Sequence, residues 1–361
     1  MKISSYIAHD GKRRAITYVR NILAQYFPRF LSFRPIAIDI YPTFRCNLRC
    51  VHCNYWQQKH QHGELSTDQW KEVIADLRQW LGPFTLRVCG GEPLVRKDLI
   101  DILTFAHRQG IFTVLSTNGT LISHDLARDI IESRLDFISI SLDSLKENVH
   151  DSLRGIPGSY IKAKNAIDLL KGKIEKIQVM TTIMACNLDE ILDLVSFCEE
   201  NRISISFQGL YGFDGNKDNF SSTWFQQLWP ESKKAEKVFD TLLLRKRKSH
   251  SMVDAPGYLR RLKSYYLDSG HSFGSISYRC RAHERNFRIG DTGDVTFCHN
   301  SGSLGNVTTE FPQVIWDSSK ASQIRTKLKQ CPENCSFVRC YYYETLPETI
   351  GKFKNYFKYR N

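Results

Sequence analysis

The sequence predicts an α/β protein whose main part is a six-stranded parallel sheet wrapped by helices, followed by a small α+β region. Three observations lead there. Six apolar runs (36–41, 85–89, 112–116, 137–142, 177–185 and 203–208) alternate with amphipathic helical stretches. The helical stretches carry their own start and stop signals. A glycine-punctuated run, 286–297, has the composition of a β-hairpin.

In chain order, Ile16, Val19, Leu23 and Tyr26 form an apolar stripe flanked by Arg13, Arg14 and Arg20. A basic amphipathic helix of this kind can lie on a membrane surface, but docking on its own domain is the expectation taken here. Pro28 and Pro35 punctuate the chain before the first strand. Ser66 and Gln69 make a capping-box pattern ahead of Trp70, Val73, Ile74, Leu77 and Leu81, and Gly82 supplies the stop. A second helix is expected over 97–109, ending at Gly110. Strands joined through helices require crossovers, which are right-handed, so the sheet is parallel. Residues 211–275 show no clear strand and read as a helical connection. Its run Leu242-Leu243-Leu244-Arg245-Lys246-Arg247-Lys248 reads as a solvated basic face. The expected division is a basic N-terminal segment 1–34, a sheet domain 35–210, the connection 211–275 and a C-terminal domain 276–361.

Among the 361 residues, 42% are hydrophobic and 24% charged, the balance of an ordinary globular protein with a sizeable core. No apolar run is long enough to span a bilayer, and the N-terminus lacks a signal-peptide core. Eleven cysteines without such a signal point to the reducing cytoplasm and to thiols used for metal. The net charge is +12, and the ends are the most basic parts: 1–45 carries eight Lys and Arg against Asp10 and Asp39, and 351–361 carries four with no acid. The tail interleaves these cations with aromatic residues, a pattern that nucleic-acid binders share. A partly packed, solvated segment accounts for it more simply, so nucleic acid is not expected as a partner.

The most specific feature is Phe44-Arg45-Cys46-Asn47-Leu48-Arg49-Cys50-Val51-His52-Cys53, directly after the first strand. Three thiolates at this spacing, Cys46, Cys50 and Cys53, can hold three corners of a cubic iron–sulfur cluster and leave one iron open to bind a small molecule. The competing reading is structural zinc, which needs a close fourth ligand. His52 is too cramped between two cysteines to provide it.

Cys89-Gly90-Gly91-Glu92-Pro93-Leu94 follows about forty residues later. Its glycines allow close approach of backbone to a ligand, and its carboxylate suits an ammonium group. With this second motif in place, the sequence resembles the radical S-adenosylmethionine (radical SAM) enzymes over roughly residues 35–210. The resemblance implies a partial (β/α)6 TIM-type barrel, curled but not closed. It implies a [4Fe–4S] cluster on Cys46, Cys50 and Cys53 whose open iron chelates the cofactor's amine and carboxylate. Gly90, Gly91, Glu92 and Pro93 would meet the amine. The segments Ser116-Thr117-Asn118-Gly119-Thr120 and Ser139-Ile140-Ser141-Leu142-Asp143 are also family-like. They add Asn118 to the cofactor-binding set and place Ser141 and Asp143 near the ribose. His52 departs from the aromatic or Met usual at its position. In such a barrel all these motifs sit at carboxyl ends of strands and rim one mouth.

Five further cysteines, Cys280, Cys298, Cys331, Cys335 and Cys340, lie around the hairpin, with Gly293 ahead of Cys298. This part resembles the SPASM and twitch-type C-terminal extensions, without the full seven-cysteine set. One auxiliary [4Fe–4S] cluster is the economical reading: Cys280 and Cys298 with two of the last three, Cys335 favoured together with Cys331 or Cys340. Zinc is the alternative.

Three cysteines remain. Cys89 and Cys198 read as packing. Cys186, at the end of the fifth strand, is a candidate hydrogen-atom donor for an epimerisation, since a thiol S–H bond is weak. The implied function is a radical SAM oxidoreductase that cleaves the cofactor to a 5′-deoxyadenosyl radical and abstracts a substrate hydrogen. Dehydrogenation, cross-linking or epimerisation in the maturation of a peptide or small natural product would be the outcome. About 35 residues precede the first strand, fewer than a leader-binding domain needs, so a small or sugar-derived substrate weighs equally with a peptide. An acidic flavodoxin or ferredoxin is the expected electron donor to so basic a chain. A non-catalytic iron–sulfur or zinc-binding protein is the alternative class.

Overall fold

A computed structural model describes residues 34–35, 37–57, 63–211, 223–267 and 282–331. Cys280, Cys335 and Cys340, the leading basic stripe and the basic tail lie outside the described residues.

The six expected strands form in order. They are β1 (Ala37–Ile40), β2 (Thr85–Val88), β3 (Phe112–Thr117), β4 (Phe137–Ser141), β5 (Lys176–Thr182) and β6 (Ser204–Gln208), each parallel to its neighbour. Helix α1 (Thr67–Leu81) starts at the capping box on Ser66, whose side chain accepts from Gln69 N while Gln69 returns the bond. It buries Trp70, Val73, Ile74, Leu77 and Trp80 against the sheet. Helix α2 (Leu99–Arg108) begins two residues later than expected, because Asp98 is held at its start by Arg96 and Thr67. Strand β5 ends at Thr182 and not at 185. Asn187 ends it, donating to Thr182 O and Asp143 O, each at 2.8 Å, and accepting from Met184 N.

The sheet continues beyond the six. Strand β7 (Asn286–Ile289) lies parallel to β1, with Ala37 opposite Asn286 and Ile40 opposite Ile289. The expected hairpin is then completed by β8 (Asp294–Thr296), followed by β9 (Gly305–Asn306). The order is β6-β5-β4-β3-β2-β1-β7-β8-β9, so the C-terminal region extends the barrel sheet from the far side of β1. Trp316 secures that joint, its ring 6.0 Å from those of Trp80 and Phe287 and 5.5 Å from that of Phe297. At the other edge, residues 251–253 run beside β6: Ile205 N donates to Ser251 O and Val253 N to Ile205 O. The connection is otherwise helical, at Thr223–Leu228, Ser232–Lys246 and Pro256–Leu267.

The β6 edge of the sheet and the end of β8, next to the other edge, meet. Tyr211, just past β6, hydrogen-bonds His299, just past β8, with ring centroids 5.2 Å apart. That contact requires the sheet to curl into a partial barrel. Strand alternation turns Ile38, Ile40, Leu86, Val88 and Leu115 to the helices, all fully buried. Asp39, Arg87, Ser116, Ser139 and Gln178 face the inside, where Ser116 is exposed and the lumen therefore open to solvent. No described helix is long and apolar enough to cross a membrane.

Candidate functional site

The carboxyl ends of the parallel strands gather the sequence motifs at one mouth. The cysteine loop follows β1, Gly90–Pro93 follows β2, Asn118 follows β3, Asp143 follows β4 and Cys186 follows β5.

The cysteine loop is pinned from several sides. Arg49 N and Val51 N donate to Arg154 O and Leu153 O, at the last turn of the helix Glu147–Arg154. Gly155 caps that helix at φ +71°, and a Cβ there would lie 2.3 Å from Arg49 O. The Gly-Gly turn grips the loop from the other side: Gly91 N donates to Thr43 O at 3.1 Å and Glu92 N to Arg45 O at 2.8 Å. A Cβ on Gly91 would sit 2.3 Å from Arg45 O, and one on Gly90 2.4 Å from Thr43 O. These glycines thus admit the backbone of the cysteine loop.

Glu92 is buried, and burial raises its pKa. Its carboxylate accepts from Asn118 N and Thr117 Oγ1, each at 2.7 Å, and from Leu94 N, so it ties the end of β2 to the end of β3. Asn118 donates to Asn47 Oδ1 at 2.9 Å, and Asn47 donates to Thr120 Oγ1, which holds the loop between Cys46 and Leu48. Asp143 is fully buried, 2.7 Å from Arg154 Nη2, and accepts from Thr182 N. Ser141 is half-buried on the lumen face, and its hydroxyl has no hydrogen-bond partner among the described residues.

Arg154 is the residue the sequence reading missed. Its guanidinium is almost wholly buried, paired with Asp143, and its Nη1 lies 3.9 Å from Cys50 Sγ. Burial pushes the Cys50 thiol up while Arg154 works against it; burial also raises Cys46, and Cys53 to about 11. In the metal-free chain these thiols are protonated at neutral pH, so loading a metal centre must release protons. Burial lowers His52 to about 4 and keeps its imidazole neutral.

The lumen wall beside the loop is charged. Asp39 pairs with Arg87 at 2.5 Å, and Arg288 hydrogen-bonds the Tyr41 hydroxyl with its guanidinium 4.7 Å from the ring centre. Cys89 is half-buried near Tyr41 and is pushed up by burial to about 12. Cys198 is core. Cys186 is exposed on the rim, in a 3-10 turn. Of the auxiliary candidates, Cys298 is buried next to His299 and Cys331 is half-buried.

The donor set fits a cluster that also binds a charged small molecule. Three thiols share one loop beside a buried cation, and the buried Nδ1 of His52 and Nε of Arg154 have no hydrogen-bond partner among the described residues. A closed zinc site needs four converging ligands. No three His, Cys, Asp or Glu side chains among the described residues converge enough to hold a single ion.

Residues 40–210 match the family model of the Radical SAM superfamily, and residues 280–341 match that of SPASM, an iron–sulfur cluster-binding domain. The chain is a radical SAM protein with a SPASM domain. Radical SAM and SPASM domains use S-adenosylmethionine and [4Fe–4S] clusters. Among curated relatives of this radical SAM chain, Fe-coproporphyrin III synthase of Methanosarcina barkeri is 37% identical over 45% of the chain and 40% of its own length. The chain thus spans about two fifths of that relative. Mycofactocin maturase MftC of Mycobacterium ulcerans is 26% identical over 81% of the chain and 77% of its own length. Among solved structures, Streptococcus suis SuiB bound to precursor peptide SuiA superposes with a TM-score of 0.65 at 18% identity, over 87% of the chain and 74% of SuiB. At that identity the likeness shows the fold.

Proposed function

We propose that this chain is a radical SAM oxidoreductase acting on a peptide, with a small natural product as the second substrate class. One observation carries the reading: three thiols on one loop, with a buried guanidinium 3.9 Å from one of them, lie where four adjacent parallel strands end, beside an open lumen. When bound to the reduced cluster, S-adenosylmethionine supplies a 5′-deoxyadenosyl radical that takes a hydrogen atom from a substrate C–H.

The chain's own residues bind and orient. Cys46, Cys50 and Cys53 hold the first cluster. Arg154 offers a cation to the cofactor's carboxylate, and the turn Gly90-Gly91-Glu92-Pro93 meets its amine. Ser141, Asp143 and Asn118 bound the ribose side, with Ser141 the hydroxyl open to a ligand. Cys280 and Cys298, with two of Cys331, Cys335 and Cys340, hold one auxiliary cluster. Such a cluster would supply an acceptor for an electron from a substrate radical, which would favour dehydrogenation or cross-linking. The peptide class is supported by the maturase MftC, matched over most of both chains, and by SuiB, solved with a precursor peptide.

The test is anaerobic. Reconstituted protein reduced with dithionite is expected to convert S-adenosylmethionine to 5′-deoxyadenosine, and Cys50→Ser to abolish this. Failure of the wild-type protein to form 5′-deoxyadenosine would overturn the reading. For the epimerisation variant of the chemistry, Cys186→Ala is expected to slow product formation and leave 5′-deoxyadenosine formation intact. Unchanged rate and stereochemistry would remove Cys186 as a hydrogen donor.

A further inference from the structure

Between Tyr41 and Gln57 the chain contains no carboxylate, and its two cations, Arg45 and Arg49, are both exposed. Arg45 is paired with Glu64 at 2.9 Å. Arg49 has no acidic partner among the described residues. Its Nη1 donates to Cys46 O at 3.0 Å and Leu48 O at 2.9 Å, and its guanidinium carbon lies 5.3 Å from the centre of the Trp56 ring. Trp56 Nε1 in turn reaches Cys50 O at 3.4 Å. Three carbonyls of the metal-binding loop are therefore fixed by a cation and an aromatic ring stacked on its outer side. Val51 stands beside them between Cys50 and His52, 40% exposed although its backbone N–H is fixed to Leu153 O. Only three other large apolar side chains among the described residues are as exposed.

An apolar side chain held in solvent on a rigid loop, next to uncompensated positive charge, has the make-up of a small protein–protein contact. Its place decides the partner. Electron transfer falls steeply with distance, and this loop is the covalent support of the first cluster. We propose that Arg49, Val51 and Trp56 form the docking surface for a small acidic one-electron carrier of the flavodoxin or ferredoxin type. Charge complementarity with a chain of net charge +12 selects an acidic occupant. In the transfer one electron leaves the reduced carrier and enters the oxidised cluster; no bond forms or breaks and no proton need move. The proposal rests on the radical SAM reading.

The test measures the affinity of an oxidised, acidic bacterial flavodoxin for the reconstituted full chain, with no turnover required. Arg49 is left in place because it holds loop carbonyls. Val51→Glu is expected to weaken binding about tenfold, Val51→Lys to bind at least as tightly as wild type, and Lys320→Glu, on the helix Ser319–Leu328, to stay within about twofold. Raising salt from about 50 to 300 mM should weaken wild-type binding several-fold. Equal weakening by Val51→Glu and Val51→Lys, or an effect of Lys320→Glu matching that of Val51→Glu, would overturn the proposal. So would a Val51→Glu effect confined to self-association on sedimentation, which would assign the patch to a second copy. The radical reading fails separately, through wild-type protein and dithionite, a reductant that needs no docking surface.

Discussion

Arg154→Gln is expected to destabilise the metal-free protein by about 3–5 kcal/mol and to prevent stable loading of the first cluster. Asp143 is fully buried and faces the Arg154 guanidinium at 2.7 Å, so removing the cation leaves a carboxylate sealed away from water. The pH dependence has a definite sign. Burial pushes Asp143 up, but Arg154, with His52, His150 and the Thr182 N–H adding to it, outweighs burial and holds the carboxyl below its ordinary value. That contribution is present above about pH 3.9, the unfolded value, and is lost as pH falls through the lower folded one. In the variant the balance reverses: burial dominates, the folded carboxyl rises above the unfolded value, and the penalty grows with pH. Urea unfolding of both proteins should therefore show a gap wide at pH 7 and narrower near pH 4. The double change Asp143→Asn with Arg154→Gln should recover part of the loss, because it removes both charges. A gap independent of pH, with no recovery in the double variant, would mean that Arg154 acts through packing alone.

Gly91→Ala is expected to cut bound iron after reconstitution by about tenfold and to cost more than about 3 kcal/mol of stability. The added carbon would lie 2.3 Å from Arg45 O and 2.4 Å from Phe44 O, and neither is the movable end of a side chain. Relief must come from displacing the cysteine loop, which also breaks the bond from Glu92 N to Arg45 O. Gly158→Ala is the internal comparison. Its φ is +76° and nothing lies within 4 Å of the added carbon, so only backbone strain of about 1 kcal/mol is expected, with iron content unchanged. Iron assay and urea unfolding on the two variants separate crowding of the loop from glycine loss in general.

Much of the architecture was readable from local patterns. The capping box at Ser66 and Gln69 announces its helix because both partners lie within one turn. The cysteine triplet needs only spacing within a short loop. What stayed hidden depends on contacts between distant segments. Arg154 stands at a helix end just before a glycine, where an arginine is ordinarily a surface residue; its burial follows from docking on a loop about one hundred residues earlier. The roles of Glu92 and Asn118 were obscured in the same way, since Thr117 and Asn47 reach them across the strand ends. The pairing of β7 with β1 joins residues almost 250 positions apart, and no periodicity encodes it. Strand β5 ran long in the sequence because Ile183 and Met184 are apolar and buried, while the Asn187 side chain that stops it looks like any turn residue.

The parallel pairing of β7 along β1 makes the two family regions inseparable as folding units. The barrel's first strand is an interior one, flanked by β2 and β7, with Ile38 and Ile40 fully buried. Severing the polypeptide between the barrel and the hairpin would bare a row of amide and carbonyl groups on that strand, the template on which unrelated chains aggregate. Gain or loss of the C-terminal extension in such a lineage would therefore require redesign of the strand that delivers the cysteines.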